Sequence, residues 1–244
     1  MTQRQNYGTA HATSNAGVWR MTLGIIGGTS LLFSELPVLE RRRFHTPFGN
    51  TDLLIGDVVM LMRHQDGLPP HRINVRASIA ALAIAGVDRI VAFGSSGSLK
   101  SSIQPGSLVI PTDYISMTDI PSIHDHAIEH IRPELSGKLC DQLFRIIPEA
   151  RYGGVYVQTK GPRIETVAEV QALATIADIV GMTLASEATL ACELCMEFAA
   201  LCTVDNYANG LGGVMLTYEH MLETSRSNRY RTDKILSEII RNLG

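Results

Sequence analysis

Cysteine, tryptophan and net charge are all scarce in this chain of 244 residues, which holds four cysteines, one tryptophan and a formal charge of −3. Cys192 and Cys195 form a lone CxxC inside a helical-looking stretch with no second pair, so a zinc ribbon is excluded and buried thiols in a reducing cytoplasm are expected. A near-balance of 21 basic and 24 acidic residues leaves no basic footprint for nucleic acid or an anionic membrane, so neither is expected as a partner. No apolar run approaches the roughly 20 residues needed to span a bilayer. The first twenty residues, MTQRQNYGTAHATSNAGVWR, lack an apolar core and read as an extension, not a signal peptide. What is present is 45% hydrophobic residues, enough to bury the core of one α/β domain over 21–244.

Two phosphate-binding signatures are also missing. Gly24, Gly27 and Gly28 in GIIGGTS do not space as GxGxxG, and no GK[ST] follows a strand, so neither a dinucleotide fold nor a P-loop is encoded. Short apolar runs alternate instead with helical patterns. Strands are expected at Leu23–Ile26, through DLLIGDVVMLM, at Arg89–Phe93, in VYVQ, in DIVG and in AALCTVDNY. Helices are expected through NVRASIAALAIAG, from about Pro133 to Ile146, in TVAEVQALATIA, through SEATLACELCMEFA and over the tail from Thr217 to Leu243. Several strands run into Gly/Ser/Thr-rich turns, among them GSSGSLK, which points to a parallel sheet binding a small molecule at its carboxyl edge.

Each turn has a plain structural reading beside a functional one. Thr29 and Ser30 either cap a helix or hold an anion. Arg63 and His64 end an apolar strand, where a basic pair is either solvated rim or a phosphate clamp. Gly161-Pro162-Arg163 is a stiff turn that presents Ile164 and Glu165 just before a helix, so Glu165 is either a capping acid or a ligand. His124, His126 and His130 share a polar loop from Met117 to Arg132 without the carboxylate or cysteine set of a metal site, so no metal is expected. VDNYANGL offers Asp205, Asn206 and Asn209.

In order, GIIGGTS, TPFG, RH followed by PPHRINVRA, GSSGSL, GPRIET, GMTLASEATLACE and VDNYANG resemble the trimeric purine nucleoside phosphorylases, most closely the branch acting on 5′-methylthioadenosine or 5′-methylthioinosine. The resemblance runs from Leu23 to the C-terminus. It implies a nucleoside phosphorylase fold, a central mixed sheet flanked by helices, and usually a homotrimer. It implies phosphorolysis of a purine nucleoside, with phosphate as co-substrate and no cofactor. Carried over by position, Thr29, Arg63, His64, Ser95 and Thr183 would bind phosphate. Ile164, Met182 and His130 would bind base and ribose, Tyr218 and Met221 would line the 5′ side, and Glu165 and Asn206 would serve both binding and catalysis.

The base is the informative part. An ionised Glu165 only accepts hydrogen bonds, which suits the N1 hydrogen of a 6-oxopurine and opposes adenine's bare N1. Asn206 can donate to O6 or N7 as charge develops on the leaving purine, whereas an Asp there suits adenine. The sequence departs from the family at Ile164, where an aromatic is common, at Gly94 for Thr or Asn, at Ser186 for Pro and at Asp205 for Thr. A one-residue shift would bring Asp205 into the pocket in place of Asn206 and restore an adenine-type acid. The alternatives are therefore a 5′-methylthioadenosine phosphorylase and, more distantly, a non-catalytic nucleoside-binding protein.

Overall fold

The structure, a computed structural model, describes residues 22–213 and 218–244, and the side chains of Tyr218, His220 and Met221 lie outside the description, as does the extension 1–20. Strands β1 (Leu23–Gly27), β2 (Glu40–Thr46), β3 (Gly49–Ile55) and β4 (Val59–Met62) precede helix α1 (Val75–Ile84). Then come β5 (Arg89–Ser98), β6 (Leu108–Ile110), β7 (Asp113–Ser116), α2 (Gly137–Ile146), β8 (Arg151–Tyr152), β9 (Val155–Gln158) and α3 (Val167–Leu173). The chain closes with β10 (Ile179–Gly181), α4 (Leu184–Glu193), β11 (Glu197–Tyr207), α5 (Tyr218–Ser227) and α6 (Arg229–Leu243).

All the strands join one mixed sheet, in the order β2-β3-β4-β1-β5-β10-β9-β7. Strand β11 lies parallel to β5 and carries β6 on its other side, with β8 beyond. The central strands are buried on both faces, which is why they read as continuous apolar runs. Their period of two still separates the core into two layers. Ile90, Ala92, Phe198 and Ala200 pack with Ile79 of α1 and Leu190 of α4, while Val91, Phe93, Ala199 and Leu201 pack with Leu139 of α2 and Ile239 of α6.

Several boundaries depart from the sequence expectation. GSSGSLK is not a turn, because β5 continues through Ser98. Its first half pairs with β1 and its last two residues pair with β10 antiparallel, while β11 accompanies it throughout. Small residues there allow the strand to change partners without a steric clash. Helix α2 starts at Gly137, after an N-cap in which the Ser136 side chain accepts from the Leu139 N–H. Helix α4 ends at Glu193, short of the expected Ala199, and Cys195 takes a φ of 58° on the way into β11. The C-terminal tail is two helices meeting at Asn228.

Candidate active site

The carboxyl ends of β1, β4, β5, β10 and β11 open into one cavity of about 690 Å³. Thr29, Arg63, His64, Ser95, Ile164, Glu165, Met182, Thr183 and Asn206 all line it. Nine side chains from six separate segments, named from sequence as ligands of one nucleoside and one phosphate, thus face a common space of ligand size.

At one end the arginine is fixed from behind. Arg63 is buried, its Nε and Nη2 donate to the two carboxylate oxygens of Glu187 at 2.5 and 2.8 Å, and its Nη1 donates to the Phe93 carbonyl at 2.6 Å. Burial works against the Arg63 charge, and the Glu187 carboxylate outweighs it and holds the guanidinium above its ordinary pKa. A guanidinium has five N–H donors, so two remain for a ligand after these three bonds. The backbone passes close by at Gly28, where a Cβ would sit 2.9 Å from Arg63 Nη1. Glycine there keeps the approach to the guanidinium open.

His64 Nδ1 lies 2.8 Å from the Leu68 carbonyl, so Nδ1 must be the donor and Nε2 is left to the cavity. Burial, opposed by that hydrogen bond, lowers its pKa and keeps the ring neutral at pH 7. Thr183 is the N-cap of α4 but its side chain makes no capping bond, which leaves the hydroxyl to the cavity. The fully buried Tyr156 holds this turn, its hydroxyl accepting from the Thr183 N–H at 3.3 Å. Hydroxyls and one fixed cation therefore line the same cavity, a donor set matched to an oxyanion.

At the other end, Glu165 is 7% exposed and accepts from Thr159 Oγ1 at 2.5 Å. It is not the cap of α3. That role belongs to Thr166 and Glu169, which form a reciprocal capping box, so the Glu165 carboxylate is free to serve the cavity. Asn209 Nδ2 donates to the Glu165 carbonyl at 3.0 Å and steadies the same residue from the opposite loop. Asn206 spends one N–H on the Tyr207 carbonyl at 2.8 Å, leaving its other N–H and its Oδ1 to the cavity. Gly97 makes room for this amide, since a Cβ there would stand 3.1 Å from Asn206 Nδ2.

A β-bulge separates Asp205 from Asn206. Pairing of β11 with β5 runs Val204 to Ser96 and then Asn206 to Gly97, so Asp205 is the extra residue. Asp205 is 5% exposed, is not among the residues lining the cavity and accepts a hydrogen bond from the Ser95 hydroxyl. Asn206, not Asp205, faces the cavity alongside Glu165.

His130 stands apart from the other sequence-named residues. It is exposed on the loop before α2 and does not line this cavity within the single chain. Its neighbour His124 sits 3.5 Å from Glu129, and among the described residues no group of three or more His, Cys, Asp or Glu could hold a metal. Tyr218 and Met221 were expected on the 5′ side, and their side chains lie outside the described residues. Two departures from the family pattern have local reasons. A side chain at Gly94 would begin 3.0 Å from Leu184, and Ser186 uses both its N–H and its hydroxyl to bind Gln158, the N–H being one that proline lacks.

Sequence reading offered Asn209 without a supporting role and missed the supporting residues Glu187, Tyr156 and Thr159. None of the missed residues announced its role, since an acid in the first turn of a helix, as Glu187 is, ordinarily complements the helix dipole.

A model of the family described as "Phosphorylase superfamily" matches residues 22–241. The chain belongs to the phosphorylase superfamily. It is 36% identical to the "Probable 6-oxopurine nucleoside phosphorylase" of Archaeoglobus fulgidus, over 91% of this chain and 96% of that protein. It is also 36% identical to the "Probable S-methyl-5′-thioinosine phosphorylase" of Methanocaldococcus jannaschii, over 89% and 91% of the two chains. Among solved structures it resembles methylthioadenosine phosphorylase from Schistosoma mansoni in complex with tubercidin, with a TM-score of 0.78, 26% identity and 91% of each chain covered. The mixed α/β fold and the family read from the seven motifs therefore hold.

Proposed function

We propose that the protein catalyses the phosphorolysis of purine nucleosides, as a pentosyltransferase, and that it prefers 6-oxopurine nucleosides such as 5′-methylthioinosine, inosine or guanosine. A phosphate oxygen bonds to C1′, the C1′–N9 bond breaks, and its electron pair leaves with the purine. The products are the free base and a ribose or 5-methylthioribose 1-phosphate, with phosphate as co-substrate and no cofactor. Thr29, Arg63, Ser95 and Thr183 hold the nucleophile by donating to it, His64 Nε2 accepts from the hydroxyl of a monohydrogen phosphate, and the phosphate charge stabilises the sugar cation that develops. Met182 and Ile164 pack on ribose and base. Glu165 accepts from N1–H, and Asn206 donates to N7 or O6 as the purine becomes negative.

The observation that carries the base preference is that Glu165 and Asn206 both line the cavity, while Asp205 does not and is bonded to Ser95 instead. A site built to hydrogen-bond one edge of a base can reject the wrong edge by several orders of magnitude. Leu32 and Leu68 add apolar surface to the same cavity and suit a methylthio group. The relatives named for 6-oxopurine and methylthioinosine substrates support this reading. A second reading, 5′-methylthioadenosine phosphorolysis, is favoured by the names of the structural neighbours.

In this reading the enzyme is a cytoplasmic homotrimer, and no helix among the described residues is long and apolar enough to cross a membrane. The test is base release from methylthioinosine, inosine and methylthioadenosine, with and without phosphate. The 6-oxopurine nucleosides are expected to turn over fastest and only with phosphate. Faster adenine release would sink the base preference, and release without phosphate would make the enzyme a hydrolase.

A further inference from the structure

We propose that Asp205 is a positioning residue for phosphate, which binds together with a proton taken up by the Asp205 carboxylate, because that proton sets which way the Ser95 hydroxyl points. The inference deepens the phosphorylase reading and rests on it.

Ser95 touches both partners, lining the cavity on one side and donating to Asp205 Oδ2 on the other. A serine hydroxyl has a single proton. While Asp205 is ionised that proton is spent on the carboxylate, and Ser95 turns only lone pairs toward the cavity, where they oppose phosphate oxygens. When Asp205 is protonated the bond reverses. Oδ2–H donates to Ser95 Oγ, and the Ser95 hydrogen is released to the phosphate. One proton comes from solvent, and no covalent bond in either substrate changes.

The surroundings of Asp205 favour this exchange. The bulge buries it against β5, and among the described residues no cation pairs with it. On its own strand lie the Thr203 hydroxyl, which donates to the Gly94 carbonyl at 3.4 Å, and the Cys202 thiol, which burial keeps neutral. Arg63, just after β4, and Glu187 of α4 satisfy one another. On α5, which packs on β11, Glu219, Glu223 and Arg226 are exposed, Arg226 stacks over the Phe33 ring, and the His220 side chain is outside the described residues. On α6, Arg231 donates to the Gly106 carbonyl. Burial pushes the Asp205 carboxyl up to about 6, with the Ser95 and Thr203 hydroxyls opposing it. A phosphate dianion beside Ser95 would push it further in the same direction.

The test compares KM for phosphate between pH 5.5 and 8.5 in the wild type, Asp205→Asn and Ser95→Ala, with methylthioinosine or inosine saturating. The carboxamide introduced by Asp205→Asn donates to Ser95 at every pH. Phosphate's own ionisation is common to all three proteins and cancels in the ratios. Relative to Asp205→Asn, the wild-type KM for phosphate is expected to climb by up to about tenfold per pH unit above neutrality, as the competent protonated fraction falls. Ser95→Ala raises KM at low pH, where the wild-type hydroxyl donates to phosphate, and removes this excess slope. Calorimetry in two buffers of different ionisation enthalpy should show more proton uptake per phosphate in the wild type than in Asp205→Asn. The inference is overturned if either variant keeps the wild-type slope, and Ser95→Ala alone decides it should Asp205→Asn fail to fold. Absence of phosphorolysis in the wild type would instead overturn the phosphorylase reading itself.

Discussion

At the phosphate end of the cavity Arg63 is held by a residue 124 positions away, whereas at the purine end Glu165 is held by one six positions away. The same contrast recurs in their neighbours. Ser95 meets Asp205 across 110 positions, while Asn206 bonds to the adjacent Tyr207. The phosphate end is assembled by the sheet itself, from strand ends and a helix start that only the complete fold brings together. The purine end leans more on neighbours in sequence, the GPRIET turn above all, although Asn206 comes from β11 and Asn209 reaches Glu165 from 44 positions away. Phosphate geometry should therefore be tied to global stability, and base choice should be adjustable without unfolding the protein.

The largest test of this contrast removes the counter-charge. Glu187→Ala strands a buried guanidinium and should lower unfolding free energy by about 3–5 kcal/mol, read from urea denaturation. A loss below about 1 kcal/mol would contradict the contrast, since that is the range of an exposed pair. Glu165→Gln should do the reverse. It should lower kcat/KM for 6-oxopurine nucleosides by about 10²–10⁴-fold, with the urea midpoint nearly unchanged.

Asp205 lies between the two regimes, and its stability should depend on pH. Its folded pKa is raised by burial, so its contribution is fully present below the ordinary carboxylate range and is lost as pH rises through about 6. Asp205→Asn escapes that loss. Its melting temperature should gain on the wild type from pH 4 to pH 8, by the equivalent of up to about 3 kcal/mol, and parallel melting curves would refute the assignment. Asn206→Asp should shift the ratio of inosine to adenosine turnover by about 10–100-fold toward adenosine with KM for phosphate unchanged, an effect comparable to one good polar contact. The smallest effect belongs to Thr166→Ala, which removes one arm of the α3 capping box. It should cost about 1 kcal/mol and leave the substrate ratio as it was.

Much of this was legible in the residues because the purine end is local. GPRIET carries its turn, its ligand and its cap within a few positions, and Thr166 with Glu169 is a recognisable capping pair. The strand ends GIIGGTS and MRH were legible as apolar runs meeting polar turns. GSSGSL misled, since small residues mark turns and also mark a strand that changes partners, and only pairing with β10 and β11 tells them apart. Glu187 was equally opaque. An acid in the first turn of a helix ordinarily complements the helix dipole, and nothing in its neighbours announces an arginine just after β4.

Asp205 and Asn206 show where the boundary falls. Their types and order, next to a buried strand, were enough to name the chemistry available for the base. Which of them meets it depends on the bulge between Val204 and Asn206, because one inserted residue in a ladder changes the face to which every following side chain points. The order of residue types was sufficient for the alternation of strand and helix, the family motifs and the identity of the donors. Long-range packing was needed to pin Arg63 with Glu187 and to lay Asp205 under Ser95. Both placements come from contacts more than a hundred residues apart, which no local pattern encodes.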